Sequence, residues 1–114
     1  MRQLTHERLD VYQKAIEFLA IAVQLIAVIP KGYATVADQL KRAAVSSVLN
    51  IAEAAGKPTP GENRRHFAIA RGSALECGAA LDTLRALGIG EVALLERGKG
   101  LLVDVVSMLT KLCR

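Results

Sequence analysis

The sequence predicts an all-α protein, an antiparallel up-and-down four-helix bundle in a single domain over residues 1–114. Three observations carry this. The chain is 52% hydrophobic with only 4% aromatic residues and no Trp, so its apolar content is mostly Leu, Ala, Val and Ile, which suits packed helices better than a sheet sandwich. Apolar residues recur at intervals of three and four over four separate segments, the spacing of an amphipathic helix. The links between those segments are short and hold the three prolines and several of the nine glycines, which makes sequential helices antiparallel neighbours. A length of 114 residues supports one domain with a real core and is too short for two.

Helix one is predicted over Glu7 to Ile29, with Leu9, Tyr12, Ile16, Leu19, Val23 and Ile26 as its stripe and Pro30 and Gly32 as its stop. A second stripe, Val11, Ala15, Phe18, Ala22, Leu25 and Ile29, is surplus to one bundle core and implies self-association. Helix two is predicted to start after Thr35, with Asp38 as its capping-box partner, and to reach about Ala55. Its stripe of Ala37, Leu40, Ala44, Ser47, Ile51 and Ala55 is small enough for close approach of a neighbour.

Thr59-Pro60-Gly61-Glu62 combines an N-cap, a first-turn proline and a capping-box carboxylate, so helix three starts there. Phe67, Ala70, Ala74, Cys77, Leu81 and Leu84 form its stripe, and Gly88 closes it. Gly72 and Gly78 lie inside it; each costs about 1 kcal/mol against alanine in a helix, so each is expected to mark a tight contact. Helix four, about Glu91 to Leu112, runs through Leu95, Gly98, Leu102, Val105, Leu109 and Leu112. Leu94, Leu101, Val103, Val106 and Met108 lie off that stripe, so helices one and four are expected to offer an apolar outer face to another copy.

The charge is uneven. Between Lys41 and Arg71 six basic residues (Lys41, Arg42, Lys57, Arg64, Arg65 and Arg71) meet only Glu53 and Glu62, a formal +4, while the other nine Lys and Arg are balanced by nine Asp and Glu. A local excess of this kind predicts an anionic partner. The six basic residues are the candidates for contacts with RNA or DNA phosphates, made without reading sequence; the competing reading is an ordinary solvated charged face. Asn50 and Glu53 stand in the otherwise apolar run Val45 to Ala55, where an unpaired polar group is costly. They are expected to join a structural hydrogen-bond network with Arg71, Ser73 and Glu76 across helix three; contact with a ligand or partner is the alternative.

Catalysis finds little support. No Ser/His/Asp, Cys/His, phosphate-loop or paired-carboxylate pattern is present, and where small helical ribonucleases carry Arg five residues before His, the residue five before His66 is Gly61. Cys77, Cys113, His6 and His66 have no zinc-site spacing, so no metal and no cofactor is expected and both thiols read as reduced. The run Phe18 to Ile29, broken only by Gln24, falls short of the ~20 residues that span a membrane. Glu7 and Asp10 beside Arg2 and Arg8 do not resemble a signal peptide, so no membrane association and a cytoplasmic location are expected.

The strings His6-Glu7-Arg8-Leu9-Asp10-Val11-Tyr12-Gln13-Lys14-Ala15, Gln39-Leu40-Lys41-Arg42-Ala43-Ala44-Val45-Ser46, Asn50-Ile51-Ala52-Glu53 and Ile69-Ala70-Arg71-Gly72-Ser73-Ala74-Leu75-Glu76 together resemble the bacterial four-helix-bundle proteins encoded in 23S rRNA intervening sequences. That family includes the accessory variability proteins of diversity-generating retroelements. The resemblance implies a homo-oligomeric ring, a pentamer in the retroelement case, that binds nucleic acid and partners a reverse transcriptase. The expectation is a non-enzymatic, oligomeric nucleic-acid-binding protein; the alternative is a scaffold that docks another polypeptide such as a reverse transcriptase.

Overall fold

A computed structural model describes residues 2–114. Four α-helices carry the fold: α1 (Asp10–Ala27), α2 (Ala34–Gly56), α3 (Pro60–Leu87) and α4 (Val92–Leu112), with 3-10 turns at Thr5–Arg8 and Lys31–Tyr33. No strand occurs among the described residues. Among the described residues each helix packs its backbone against the two next to it around the ring α1–α2–α3–α4, and the diagonal pairs stand farther apart. Contacts between successive helices run in opposite chain directions, with Ser46 and Asn50 of α2 meeting Ser73 and His66 of α3, and Asp82 and Arg85 of α3 meeting Lys99 and Glu96 of α4, so the bundle is antiparallel and up-and-down.

The core is almost wholly aliphatic. Phe18, Leu25, Leu40, Ile51, Leu84 and Leu109 are its largest enclosed side chains, and among the described residues Ser47 is the only buried polar one. The Ser47 hydroxyl donates to the Ala70 carbonyl at 3.5 Å, and among the described residues no buried side-chain polar atom lacks a partner.

α1 corrects two expectations. Its chain enters through a 3-10 turn, breaks at the extended Leu9 (ψ 127°), and becomes α-helical only at Asp10. It also ends at Ala27, where Val28 and Ile29 turn back on Leu25 and Ile26 with i→i−3 bonds of 3.1 Å, because Ile29 precedes Pro30 and the α conformation is disfavoured there. The face that enters the core is the second apolar stripe, Val11, Ala15, Phe18, Ala22 and Leu25, joined by Ile21. Of the first stripe, Tyr12, Leu19 and Ile26 are half-buried while Ile16 and Val23 are 39% and 59% exposed.

In α2 the helix begins at Ala34 without a side-chain cap, so Thr35 and Asp38 do not cap it, and Asp38 instead pairs with Arg42. Its buried face is Leu40, Ala43, Ala44, Ser47, Val48, Ile51 and Ala54, which places Ala54 rather than Ala55 inward and adds Ala43 and Val48. α3 follows its signals closely. Thr59 accepts from the Glu62 backbone N–H, Pro60 opens the helix, and Gly88 (φ 70°) ends it in the left-handed conformation that glycine adopts at little cost. All six residues of its expected stripe are buried.

The glycines in the helices behave differently from expectation. A Cβ placed on Gly72 or Gly78 would meet nothing within 4 Å, so neither marks a tight contact within the chain. The close approach lies at Gly98 of α4, where a Cβ would stand 3.2 Å from Leu81 Cδ1 and 3.4 Å from both Ile21 and Phe18.

Candidate nucleic-acid interface

The turn between α2 and α3 is built by one side chain that spacing alone does not reveal. Asn63 sits just inside α3 and its amide nitrogen donates both to the Ala54 carbonyl and to the Lys57 carbonyl, the latter at 3.0 Å. It therefore adds a second bond to the Ala54 carbonyl, which already accepts from the Lys57 N–H at 3.2 Å, and pairs the Lys57 carbonyl just past the end of α2. Thr59 fixes the other side of the turn, donating its hydroxyl to Glu62 Oε1 at 3.0 Å while accepting from the Glu62 N–H at 3.3 Å. Lys57, Arg64 and Arg65 are thus carried on a corner pinned from both helices.

The six basic residues divide into three situations. Arg64 and Arg65 are exposed and form no ion pair among the described residues. Lys57 is only loosely engaged, 3.9 Å from Glu53. Lys41 is exposed and unpaired, and Arg42 donates to Asp38 at 2.8 Å on the same exposed helix face, a surface pair worth little on its own. Arg71 stands apart from the others. It is half-buried and its Nε donates to Thr110 Oγ1 at 2.8 Å, so it ties α3 to α4 instead of facing α2.

Along α2, Lys41 and Lys57 are separated by ~24 Å at the helical rise, yet two grooves join them. One, of about 530 Å³, is lined by Asp38, Lys41, Arg42, Val45, Ser46, Leu49 and Asn50. The other, of about 620 Å³, lies between the N-terminal arm and the outer side of α2 and is lined by His6, Leu49, Asn50, Ala52, Glu53, Gly56, Lys57 and His66. Leu49 and Asn50 border both, so two adjoining grooves lie along the outer face of α2, with Lys41 and Arg42 lining one and Lys57 the other.

The polar residues in the wall are held in a defined state. Asn50 Nδ2 donates to the Ser46 carbonyl at 2.9 Å and to Ser46 Oγ at 3.1 Å, and Ser46 Oγ is bonded to Ser73 Oγ of α3 at 2.8 Å. With its amide nitrogen so used, Asn50 presents Oδ1 to His66 Nδ1 at 3.3 Å, so in the neutral ring Nδ1 is the donor and Nε2 the acceptor. Ser46 and His66, which sequence reasoning left out of the network, are therefore its members with Asn50 and Ser73. Glu53, Glu76 and Arg71 are not bonded to it: Glu53 and Glu76 are exposed and Arg71 turns to Thr110. Both histidines of the chain border one groove, and His6 is held edge-on to Tyr12 with ring centres 4.7 Å apart and planes at 70°.

Elsewhere, a second surface groove of about 300 Å³ runs between α3 and α4, and its walls are nearly all apolar: Ala74, Leu75, Gly78, Leu102, Val103 and Val106, with Lys99 and Ser107 at the edge. Leu75 and Val103 are 48% and 61% exposed. Among the described residues no His, Cys, Asp or Glu cluster has the geometry to hold a metal ion, and no helix is long and apolar enough to cross a membrane.

Comparison with known proteins agrees with the bundle. The family model described as 23S rRNA-intervening sequence protein matches residues 7–111. A crystal structure of a protein of unknown function from the S23 ribosomal protein family of Bacteroides thetaiotaomicron VPI-5482 superposes with a TM-score of 0.82 at 20% sequence identity, over 91% of this chain and 98% of that one; at that identity it speaks for the fold alone. No curated protein matches.

Proposed function

The chain belongs to the 23S rRNA-intervening sequence protein family, and from that premise we propose that it is a non-enzymatic, cytoplasmic, oligomeric protein that binds the phosphate backbone of RNA or DNA through the outer side of α2 and the α2–α3 corner. The observation that carries this reading is the pair Arg64 and Arg65, exposed and without ion-pair partners, on a corner rigidified by Asn63 and Thr59. A backbone fixed at this corner carries both guanidinium groups on the surface with their donors free for phosphate oxygens. Lys57, Lys41 and Arg42 extend the same electrostatic surface, and contacts of this kind are sequence-nonspecific. Arg71 contributes through the stability of the α3–α4 contact. The test is the affinity for a structured RNA at low and moderate salt, wild type against Arg64→Ala/Arg65→Ala: affinity falling with both salt and the variant supports the site, and affinity indifferent to both removes it.

Subunits join, in this reading, through the apolar α3–α4 groove, where Gly78 offers no side chain and Leu75 and Val103 stand in water in the isolated chain. A ring, and a pentamer in particular, is the assembly the family resemblance favours. The same groove supports a second reading, a scaffold that docks another polypeptide such as the reverse transcriptase of a retroelement. Sedimentation of the purified chain separates the two: a single species larger than a monomer assigns the groove to copies of the chain, and a monomer assigns it to a different partner.

A further inference from the structure

We infer that the joined grooves on the outer side of α2 hold an unpaired RNA strand, with one nucleotide seated between the N-terminal arm and α2. This rests on the backbone-binding reading above and narrows its partner to single-stranded RNA. The chemistry of the groove beside the N-terminal arm points to more than a bare phosphate. Lys57 supplies one cation, while Glu53 3.9 Å from it and, in the neutral ring, Nε2 of His66 are acceptors, so the groove asks for hydrogen-bond donors beside the anion. A nucleotide presents donors and an anion together: ribose hydroxyls and exocyclic amines for the two acceptors, a phosphate for Lys57. The remaining wall suits a base. Leu49 is 62% exposed, Ala52 is small, Gly56 has no side chain, and the His6 ring braced by Tyr12 offers the kind of aromatic surface on which unpaired bases stack.

The second groove continues the strand. Past Leu49 and Asn50 the adjoining groove is lined by Val45, Lys41 and Arg42, and Lys41 stands ~24 Å along the helix from Lys57, a span for a few nucleotides with cations at both ends. A duplex cannot turn a base out into the groove without first unpairing it, so duplex RNA reaches only the outlying Arg64, Arg65, Lys41 and Arg42.

Gly56 makes the inference testable without harm to the fold. It lies in the last turn of α2 and lines the groove, and a Cβ there meets nothing within 4 Å, so Gly56→Leu adds bulk at an exposed, uncrowded position; far-UV circular dichroism of the variant checks that the bundle is kept. Fluorescence anisotropy would compare an unstructured ribo-oligonucleotide with its duplex, on wild type, Gly56→Leu, His6→Ala and Arg64→Ala/Arg65→Ala. The expected result is a single-strand preference of about fivefold or more, lost in Gly56→Leu and reduced in His6→Ala, with duplex affinity unchanged in both. Equal binding of single strand and duplex, or a preference that survives Gly56→Leu, overturns the inference while the backbone-binding reading stands on the response to Arg64→Ala/Arg65→Ala. A Gly56→Leu variant that binds both RNAs like wild type but changes its sedimentation overturns it too, and makes the groove a contact between copies. Wild type that binds neither RNA overturns both readings.

Discussion

Gly98 and Gly72 occupy neighbouring helices and serve opposite ends. Gly98 lets α4 approach α1 and α3 so closely that a methyl group would already crowd Leu81, Ile21 and Phe18, whereas Gly72 stands in open space. Gly98→Leu is therefore expected to lower stability by about 1–3 kcal/mol through overpacking, and Gly72→Ala to raise it by about 0.5–1 kcal/mol through helix propensity; urea unfolding of the two variants checks both. The apolar spacing already separates these glycines, since Gly98 falls on the inward stripe of α4 between Leu95 and Leu102 while Gly72 lies off the stripe of α3; how closely the neighbours approach Gly98 depends on residues across the interface. Cys77 is a second residue whose environment decides its chemistry. Burial, with the Glu76 charge beside it, pushes its thiol from 9.0 up to about 12. Below pH 9.0 the thiol is protonated whether the chain is folded or not; above it the unfolded chain releases the proton first, so stability is lost as pH rises towards about 12. Unfolding at about pH 10.5 should cost about 2 kcal/mol less than at about pH 8 from this group, and the difference from Cys77→Ala isolates it. In the folded chain a thiol reagent should label Cys113 well before Cys77.

At the scale of elements, α3 was the most legible in the sequence, because Thr59, Pro60, Glu62 and Gly88 each act locally and their signals need no tertiary partner. α1 was legible as a helix but not in its orientation. Both of its apolar stripes satisfy the helical period, and the choice between them is made by α4: the Phe18, Ala22 and Ile21 side fits over Gly98, while Ile16 and Val23 on the other stripe stay outside. The alternation of large and small residues in Val11, Ala15, Phe18, Ala22 and Leu25 was the available signal for the inward face, since it matches the interdigitation that close-packed helices need. α2 shows the opposite limit, a helix that starts without a side-chain cap because packing supplies what a cap would. Asn63, which sequence reasoning passed over, holds the α2–α3 turn through two carbonyls. Asn63→Ala should lower stability by about 1–3 kcal/mol, comparable with or larger than Thr59→Ala at about 1 kcal/mol, and thermal unfolding of the pair measures the order.

For the whole molecule, the central basic excess was visible as a count but not as a shape. Folding sends Arg71 to Thr110, sets Arg42 against Asp38, and leaves Arg64, Arg65 and Lys41 unpaired, with two shared grooves linking the ends of the surface along α2. The N-terminal arm was the least legible part, since His6 meets His66 across one groove only because the 3-10 turn folds back onto α2. The apolar α3–α4 groove predicts an association that charge can undo: Leu75→Lys with Val103→Lys should yield a smaller species by sedimentation with helical circular dichroism unchanged, because both residues are exposed within one chain. The central claim concerns phosphate binding at the α2–α3 corner, and the dependence of RNA affinity on salt tests it most directly. If Arg64 and Arg65 each hold a phosphate, Arg64→Ala/Arg65→Ala should weaken binding and flatten the slope of log affinity against log salt by about 1.4 for single strands. A slope and an affinity that match wild type would contradict the claim and leave these arginines as solvated surface.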